Sequence, residues 1–468
     1  MGMTTGRCGP AVARVAACLV ACLLAGCSGG SAAERRSDNR ITVWSQENLP
    51  PRMAATRKIV SRFEKDTGVE VDLVGVDEAQ LPQLIMSAAA TGRLPDVIAA
   101  VPLGQIWQMY GNGLLDTDAA ARVLTALDPG TFEPNALALT EDDGTRLAVP
   151  SDAWLQLLLY RKDLFADAGL KPPDTYAHAR EAAAALDGGG RYGISLATDP
   201  SDVFTQQSFE DLALANGCGL VDERGEPALD SPACVAAFTL YDELAREHGA
   251  PGSQGVDSTR ATYFSGSSAM MVWSSFLLDE LAGLRSDALP SCPECRKDPA
   301  FLADNTGVVT SLQGPDGREP AQFGEITSWA VTESAETAAA ERFVTYLMGA
   351  GYPDWFGMAP EGKIPVRTGT PAAPGTFQRA WRSGVMGVDR RASLRATYPA
   401  ALLDRLVAGV RGMSRWGLTE GQGTLVGATG GELPVAKAIG AMTGGRLSPA
   451  EAAREADEEV TALQESLR

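Results

Sequence analysis

Residues 95–101 read PDVIAAV, an almost uninterrupted apolar run bounded by polar segments. A run of this kind predicts a strand that is buried on both faces, as central strands of parallel sheets are. Two candidate strands precede it, at 40–44 and 69–73, and each of the three strands is followed by residues at helical spacing. Strand and helix thus alternate three times within roughly seventy residues, which predicts an α/β fold with a parallel sheet.

The rest of the chain continues this alternation. A long apolar strand is predicted within 147–165, and the segment 359–375 is rich in proline and glycine, as a loop crossing would be. The last helix should start at Ser448, which is followed by a first-turn proline and a capping-box glutamate. Further strands are expected at 192–197, 269–272 and 319–331, and further helices at 174–186, 201–215, 230–246 and 336–347.

The N-terminus has the pattern of a secretory signal. Two arginines accompany a mostly apolar run at 11–25, which ends in small residues and is short for a membrane span. Cys27 follows Leu-Ala-Gly directly, and this resembles the bacterial lipoprotein signal, whose cysteine carries the lipid anchor. We expect a signal peptide at 1–26, lipidation at Cys27 and a flexible tether at 27–39. The alternative is a signal peptide that is cut nearby, with an incidental cysteine.

The composition argues against several classes of function. The chain has 468 residues, which suits two lobes better than one ordinary core. Its formal net charge is −19, and loss of the two arginines with the signal would make it more negative, so we expect no nucleic-acid partner. Two histidines leave almost no material for histidine-based catalysis or a histidine-rich metal site. We expect no metal and no cofactor, and no second apolar run approaches the length of a membrane helix.

Four cysteines remain once the signal and Cys27 are set aside. They are Cys218, Cys234, Cys292 and Cys295. An even number in an exported chain predicts two disulfides, for which three pairings exist. We choose the local pairing, Cys218–Cys234 and Cys292–Cys295. The second pair could instead be a redox or zinc motif, although a four-cysteine zinc site usually shows two close pairs.

Several short segments follow one another in an order that fits one family. They are ITVWSQ (41–46), FEKDTGVEVDLV (63–74), LPDVI (94–98), NGLLDTD (112–118), LLLYRKDLF (157–165), GLKPPDTY (169–176), FSGSSAMMVWSSF (264–276) and EGKIPVR (361–367). Together they resemble the sugar-binding lipoproteins of bacterial ABC importers, the group that includes maltose-binding protein. Tyr176 and Arg161 depart from the family's usual Trp and Asn, and the insert with Cys292 and Cys295 is unfamiliar. The resemblance extends over nearly the whole chain after the tether.

The resemblance implies a type II periplasmic-binding-protein-like α/β fold, with two lobes, a ligand cleft between them and several hinge crossings. The N-terminal lobe would hold 40–150 and about 318–358, and the C-terminal lobe would hold 151–317 and about 359–468. Ligand would bridge both lobes and shift an equilibrium between open and closed states. Closure would then tell the permease that the cleft is loaded.

A sugar presents apolar C–H faces and a rim of hydroxyls, so its site needs aromatic rings and fixed polar groups. Trp44 is predicted at the carboxyl end of the first strand, where open α/β sheets bind ligands. Trp154 lies at the predicted lobe crossing, and Trp273 lies in the segment that resembles the family's cleft lining. Each of these tryptophans could instead belong to the core. The candidate ligand-binding residues are Trp44, Ser45, Gln46, Glu47, Asp152, Trp154, Trp273, Ser274, Phe276, Trp329, Arg367 and Trp416.

We therefore expect a lipid-anchored, carbohydrate-binding subunit of an ABC importer, a monomer on the outer face of the cytoplasmic membrane. Its partners would be a mono- or oligosaccharide and the transmembrane subunits of the permease, and only the anchor would enter the membrane. The competing enzyme hypothesis is an exported glycosidase with two carboxylates, although the sequence contains no His-Glu-x-x-His motif for metal-dependent hydrolysis. The ligand could also be a polyol, or a glycerol phosphate, which would call for clustered Arg and Lys. A scaffold lipoprotein would need no aromatic cleft.

Overall fold

The structure, a computed structural model, describes residues 39–468. The predictions for the signal peptide, for Cys27 and for the tether up to residue 38 lie outside the described residues. The described residues form one compact unit. Among the described helices, none combines the length and the apolar character that a membrane crossing requires.

A mixed β-sheet runs through the described chain, and two small hairpins accompany it. The strands are β1 (Arg40–Ser45), β2 (Glu70–Gly75), β3 (Val97–Pro102), β4 (Glu141–Asp142), β5 (Thr145–Arg146), β6 (Val149–Arg161), β7 (Tyr192–Ser195), β8 (Ser268–Ser274), β9 (Thr306–Val309), β10 (Gly324–Val331), β11 (Ile364–Pro365), β12 (Val385–Met386) and β13 (Ala392–Ser393). The sheet order is β2-β1-β3-β10-β6-β8-β7, and β9 and β11 also pair with β6.

Helices cover this sheet and connect its strands. They are α1 (Pro50–Thr67), α2 (Leu81–Ala90), α3 (Leu103–Gly111), α4 (Thr117–Leu127), α5 (Pro134–Leu139), α6 (Lys162–Ala168), α7 (Tyr176–Leu186), α8 (Val203–Ala215), α9 (Pro232–Asp242), α10 (Val256–Phe264), α11 (Leu278–Leu281), α12 (Phe301–Asn305), α13 (Thr337–Met348), α14 (Tyr352–Phe356), α15 (Thr376–Arg382), α16 (Leu394–Thr397), α17 (Ala400–Gly412), α18 (Gly423–Glu432), α19 (Pro434–Thr443) and α20 (Pro449–Ser466).

The long strand β6 belongs to two sets of strands at once. Its N-terminal part pairs with β10, and its C-terminal part pairs with β8 and β9. Beyond β10 lie β3, β1 and β2, with β1 parallel to both of its neighbours, whereas β7 and β8 are parallel to each other beyond the far end of β6. We call the part with β1, β2, β3 and β10 the first half of the sheet, and the part with β7, β8 and β9 the second half.

The predicted α/β alternation is confirmed. The apolar run at 95–101 forms β3, whose residues from Val97 to Val101 are all buried, as a strand covered on both faces requires. The helix α1 begins with two prolines and ends at Gly68, whose φ of 72° suits glycine at a helix C-terminus. The capping box predicted at Ser448 is also present, with Glu451 as its partner.

Some predicted boundaries move by a few residues. The strand expected at 192–197 ends at Ser195, because the ladder with β8 stops there. The helix expected at 230–246 begins at Pro232, after the N-cap Ser231, and its last turn widens into a π-helix at Glu243–Glu247. These shifts leave the order of strands and helices unchanged.

Both predicted disulfides are present, and the local pairing is confirmed. Cys218 is bonded to Cys234, and Cys292 is bonded to Cys295. All four side chains are buried. The first disulfide ties the turn after α8 to the first turn of α9, and the second closes a short loop that precedes α12. The zinc alternative is therefore wrong for these cysteines in this structure.

Replacing Cys218 and Cys234 together by serine should lower the free energy of unfolding by about 3 kcal/mol, because the crosslink spans 16 residues and restricts the unfolded chain. The same change at Cys292 and Cys295, three residues apart, should cost only about 2 kcal/mol. Urea denaturation of both double variants measures the difference. A larger loss at the short pair would contradict the entropic explanation.

Candidate functional site

The carboxyl ends of both sets of parallel strands converge on the middle of β6. In the first half, Ser45 at the end of β1 is level with Gly75 of β2 and Ala99 of β3. The antiparallel β10 starts at the same edge, where Glu325 pairs with Trp154 of β6. In the second half, β8 ends at Ser274, which pairs with Gln156, two residues farther along β6. Open α/β sheets bind ligands at such strand ends, so this junction is the candidate site.

Trp154 lies at the centre of the junction and is half-buried. Its ring lies 5.8 Å from the ring of Phe323, and the guanidinium of Arg415 covers the same Phe323 ring at 4.7 Å. Arg415 donates to Glu325 at 2.7 Å and to Glu210 of α8 at 3.2 Å. Because Glu325 belongs to the first half and Glu210 to the second, this buried arginine links the two halves beside the tryptophan.

A second buried ion-pair network lies on the opposite edge of β6. The ammonium of Lys363 is 2.5 Å from Glu47 Oε1 and 3.0 Å from Asp152 Oδ1. Asp152 also accepts hydrogen bonds from Trp355 Nε1 at 2.9 Å and from Thr327 at 3.0 Å. Burial by itself would raise the pKa of Glu47, but Lys363 and Arg52 together lower it to about 2. Glu47 therefore stays ionised in the folded protein.

Phe276 brings the second half against this network. The Arg52 guanidinium lies over the Phe276 ring at 5.2 Å and donates to Glu47 at 2.9 Å. The same ring packs so closely on Gly362 that a Cβ there would come within 2.0 Å of it. Only glycine fits at position 362. Through Arg52 and Gly362, Phe276 contacts both α1 and the segment that leads into β11.

Glu78, after β2, faces the same region from the first half. Its side chain is exposed, yet partial burial raises its pKa, and the carboxylates of Glu47 and Glu325 raise it further. Glu47 and Glu325 are each paired with cations, and Glu78 adds a further carboxyl group that is close enough for both of their charges to raise its pKa.

The structure brings several predicted site residues to the junction. Trp44 and Gln46 are half-buried at the end of β1, and Ser274 is half-buried at the end of β8. Ser45 is buried beneath them, and its hydroxyl accepts from the Glu47 backbone N–H at 3.2 Å. The predicted residues at the junction are Trp44, Ser45, Gln46, Glu47, Asp152, Trp154, Ser274 and Phe276.

The structure does not bring four other predicted residues to open space at this junction. Trp273 is buried between Phe204 and Arg260, and its Nε1 donates to a backbone carbonyl at 3.2 Å. Trp329 is a core residue, because its ring packs on Trp355 and Phe343. The expectation for Trp329 rested on its strand position, and the expectation for Trp273 rested on the segment that resembles the family's cleft lining. In the structure both rings are buried.

Arg367 and Trp416 also serve packing in this structure. The Arg367 guanidinium donates to Thr131 and to the backbone carbonyls of Leu127 and Met348, which leaves it committed inside the fold. The Trp416 ring is buried, and its Nε1 donates to the Cys218 carbonyl at 2.9 Å. Its neighbour in sequence, Arg415, is the residue that reaches the junction.

Sequence reasoning found Glu47 and Asp152 but missed the charged residues that pair with them or lie beside them. Lys363 lies inside the EGKIPVR segment that carried the resemblance, and a lysine within an apolar crossing was a signal that it is paired. Glu325, Glu210 and Arg415 gave no signal, because their partners are far apart in sequence. Within residues 39–468, no cluster of three or more His, Cys, Asp or Glu could hold a metal ion.

A groove of about 1130 Å³ runs along α1, beside the junction. Arg52, Asp279 and Glu361 belong to its wall, and none of its lining residues is aromatic. A sugar ring therefore finds no aromatic side chain to stack on in this groove. The junction around Trp154 offers an aromatic ring and is therefore the better candidate for a carbohydrate.

The comparisons with known proteins agree with the fold. The profile of the family described as bacterial extracellular solute-binding protein matches residues 58–381, more than half of the chain. The chain therefore belongs to the bacterial extracellular solute-binding proteins. It is similar to the periplasmic-binding protein YcjN of Escherichia coli, with 29% identity over 359 residues, which are 74% of this chain and 77% of that protein.

Two solved structures share the fold. One is an ABC transporter solute-binding protein from Agrobacterium radiobacter in complex with ribitol, with a TM-score of 0.66, 20% identity, and coverage of 91% of this chain and 98% of that one. The other is the GacH receptor of Streptomyces glaucescens, solved unliganded and with acarbose, with a TM-score of 0.68 and the same identity and coverage. The predicted two-lobe α/β fold of the periplasmic binding proteins is confirmed.

Proposed function

We propose that the protein is the substrate-binding subunit of an ABC importer and that it binds a mono- or oligosaccharide at the junction. The observation that carries this proposal is the convergence of two sets of strand ends on the half-buried Trp154. The ring offers a face for sugar C–H groups, and Gln46 and Ser274, which are half-buried at the neighbouring strand ends, offer polar groups. The acarbose-bound GacH receptor, which shares the fold, supports the same class of ligand.

The electrostatics of the junction favour a neutral ligand over an anionic one. Lys363, Arg52 and Arg415 each pair with carboxylates that are already present. A phosphate would need cations that are free to donate, so glycerol phosphate fits less well. A polyol remains compatible with these polar groups, and the ribitol-bound relative favours it as the second candidate.

We propose that no chemistry is performed on the ligand. A glycosidase needs one protonated and one ionised carboxyl group on opposite sides of the bond that is cleaved. Three carboxylates at the junction, those of Glu47, Glu210 and Glu325, are held in ion pairs with cations instead. Binding and closure, followed by delivery to the permease, account for the arrangement without catalysis.

The remaining parts of the proposal concern the lobes, the anchor and the partners. The first half of the sheet would lie in the N-terminal lobe, at 40–150 and about 318–358, and the second half in the C-terminal lobe, at 151–317 and about 359–468. Lipid on Cys27 would hold a monomer at the outer face of the cytoplasmic membrane. The transmembrane subunits of the permease would receive the ligand.

A thermal-shift screen of residues 28–468 tests this function. The panel holds maltose, other mono- and oligosaccharides, mannitol, ribitol and glycerol 3-phosphate. At a hundred times its dissociation constant, a sugar that binds only the folded state should stabilise the protein by about 2.7 kcal/mol. Chromatography of the recovered sugar checks for turnover: an intact sugar supports binding, a consumed sugar favours the glycosidase, and a response to polyols alone selects the second candidate.

Replacing Trp154 by alanine should weaken binding of the sugar found in that screen at least tenfold, about 1.4 kcal/mol, because the central ring is lost. Isothermal titration calorimetry measures the change. Trp154→Phe should recover part of the affinity, since it keeps an aromatic face. Tyr346→Ala, at a half-buried aromatic residue on α13, is the control that should bind normally. Wild-type affinity in Trp154→Ala would remove this residue from the site.

A further inference from the structure

Helices α3 and α18 touch each other although they are held by different halves of the sheet. α3 follows β3 directly, and its Trp107 donates to the Leu139 carbonyl at 3.1 Å, within the first half. α18 is held on the other side, where Gln464 of α20 donates to Gln422 at 3.2 Å and to the Gly225 carbonyl at 2.6 Å. The α3–α18 contact therefore spans the two halves, at a place other than β6.

The two helices meet backbone to backbone. A Cβ on Gly427 would lie 2.8 Å from the Gly104 carbonyl oxygen and 2.9 Å from the Gln108 nitrogen. A Cβ on Gly423 would come within 2.1 Å of the Trp107 ring. Distances this short leave no room for any side chain. Glycine is less favourable than alanine inside a helix, and here the close approach of the neighbouring helix offsets that disadvantage.

The contact between α3 and α18 is apolar in the part of the chain that the structure describes. Among residues 39–468, no hydrogen bond and no ion pair joins the two helices. The contact consists of close van der Waals packing, which is strong only while the surfaces match. Parting the helices consequently leaves no buried donor or acceptor unpaired, so the contact can open at little cost beyond the lost packing.

We propose that α3 and α18 form a clasp that makes contact when the two halves close around the ligand and parts when the ligand leaves. This inference rests on the proposed function, because it assigns the clasp to the hinge motion. Gly427 thereby sets the ligand affinity without touching the ligand, since any side chain there keeps the halves apart. The closeness of the backbone contact determines what fraction of the molecules is in the closed state.

The first test compares two substitutions in the same helix. Gly427→Leu places a side chain against Gly104 and Gln108, whereas Gly430→Leu is its matched control, since a Cβ there meets nothing within 4 Å. Gly427→Leu should stay folded and should bind maltose, or whichever panel sugar the wild type binds, at least tenfold more weakly. At a sugar concentration that saturates the wild type, its radius of gyration in small-angle X-ray scattering should stay at the larger, ligand-free value, whereas that of the wild type decreases. Gly430→Leu should match the wild type in both measurements.

The second test fastens the clasp covalently. A Cβ on Gly111 would lie 3.8 Å from the Cβ of Thr424, which is the spacing of a disulfide, so Gly111→Cys with Thr424→Cys should crosslink on oxidation. The oxidised form should keep the smaller radius of gyration of the closed protein, and the reduced form should expand. Exchange of the panel sugar should be slowed at least tenfold in the oxidised form and restored by mild reductant.

Several outcomes would overturn the clasp. Equal radii of gyration for the oxidised, reduced and wild-type proteins would mean that α3 and α18 never part. Wild-type sugar exchange in the crosslinked protein would mean that their parting is not needed for binding. If the Gly427→Leu variant unfolds and the crosslink changes neither the radius of gyration nor the sugar exchange, α3 and α18 are packed together permanently. The comparison of the oxidised with the reduced crosslinked protein uses no sugar, so it tests the clasp even if every sugar fails to bind and the proposed function falls.

Discussion

Replacing Lys363 by methionine should lower the free energy of unfolding by about 3 to 5 kcal/mol. The ammonium is fully buried and lies within 3.0 Å of both Glu47 and Asp152, and it also lies 4.6 Å from the centre of the Trp355 ring. Methionine fills most of the space of the lysine stem, so the packing changes little. The loss arises because a buried carboxylate pair is left without its shared cation. Urea denaturation monitored by tryptophan fluorescence measures it.

Two further variants isolate the electrostatic cause. Arg454→Met removes an ion pair with Glu458 that is exposed on α20, and should cost less than about 1 kcal/mol. Adding Glu47→Gln and Asp152→Asn to Lys363→Met should recover part of the lost stability, since neutral amides need no cation. If the triple variant were less stable than Lys363→Met, the loss would have to come from packing and not from the uncompensated charges.

Stability should fall between pH 5 and pH 8, and Asp211 should account for about 3 kcal/mol of that fall. Burial raises the pKa of Asp211 to about 7, and the charge of Glu210 adds to the effect, although the Phe323 N–H opposes it. A carboxyl group whose folded pKa is raised binds its proton more tightly in the folded state. This group therefore stabilises the folded protein fully below about pH 4, and that stabilisation is lost as the pH rises through 7.

The contribution of Asp211 is measured by difference. Asp211→Asn removes the titration but keeps the shape, so its stability relative to the wild type should increase by about 3 kcal/mol from pH 5 to pH 8. Asp167→Asn, at an exposed position, should follow the wild type at both values. Glu47, whose pKa is lowered to about 2, changes the stability only below about pH 4.5, so it does not affect the range from pH 5 to pH 8. A constant difference across the window would contradict the assignment.

The alternation of strands and helices could be predicted from local pattern, whereas the antiparallel pairing of β10 with β3 and β6 could not. The run at 95–101 is apolar on both faces, and only a strand covered by helices on both sides buries it, so the α/β class followed from seven residues and their neighbours. The disulfide pairs were predictable for a similar reason, since closing a short loop constrains less of the chain than joining distant cysteines. Both features depend on interactions among residues that are close in sequence.

The candidate site was predictable only in outline. Trp44 and Trp154 lie on segments whose position in the sheet follows from the strand pattern, and both are half-buried at the junction. Trp329 lies on an equally apolar strand, but the twist and register of β10 turn its ring onto Trp355 in the core. A tryptophan at a strand end has the same sequence signal in either environment, because burial is set by what packs over it.

The sequence by itself determined the strand–helix alternation, the disulfide pairs and the family, all of which are written in short segments. The tertiary structure alone decided which charges meet: Lys363 reaches Glu47, and Arg415 joins Glu210 to Glu325, across long stretches of chain. It alone also brought α3 against α18, where glycines permit contact between the two halves. The physical reason is that ion pairs and close helix contacts depend on distances in space, and those are set only when the sheet and the helices have packed.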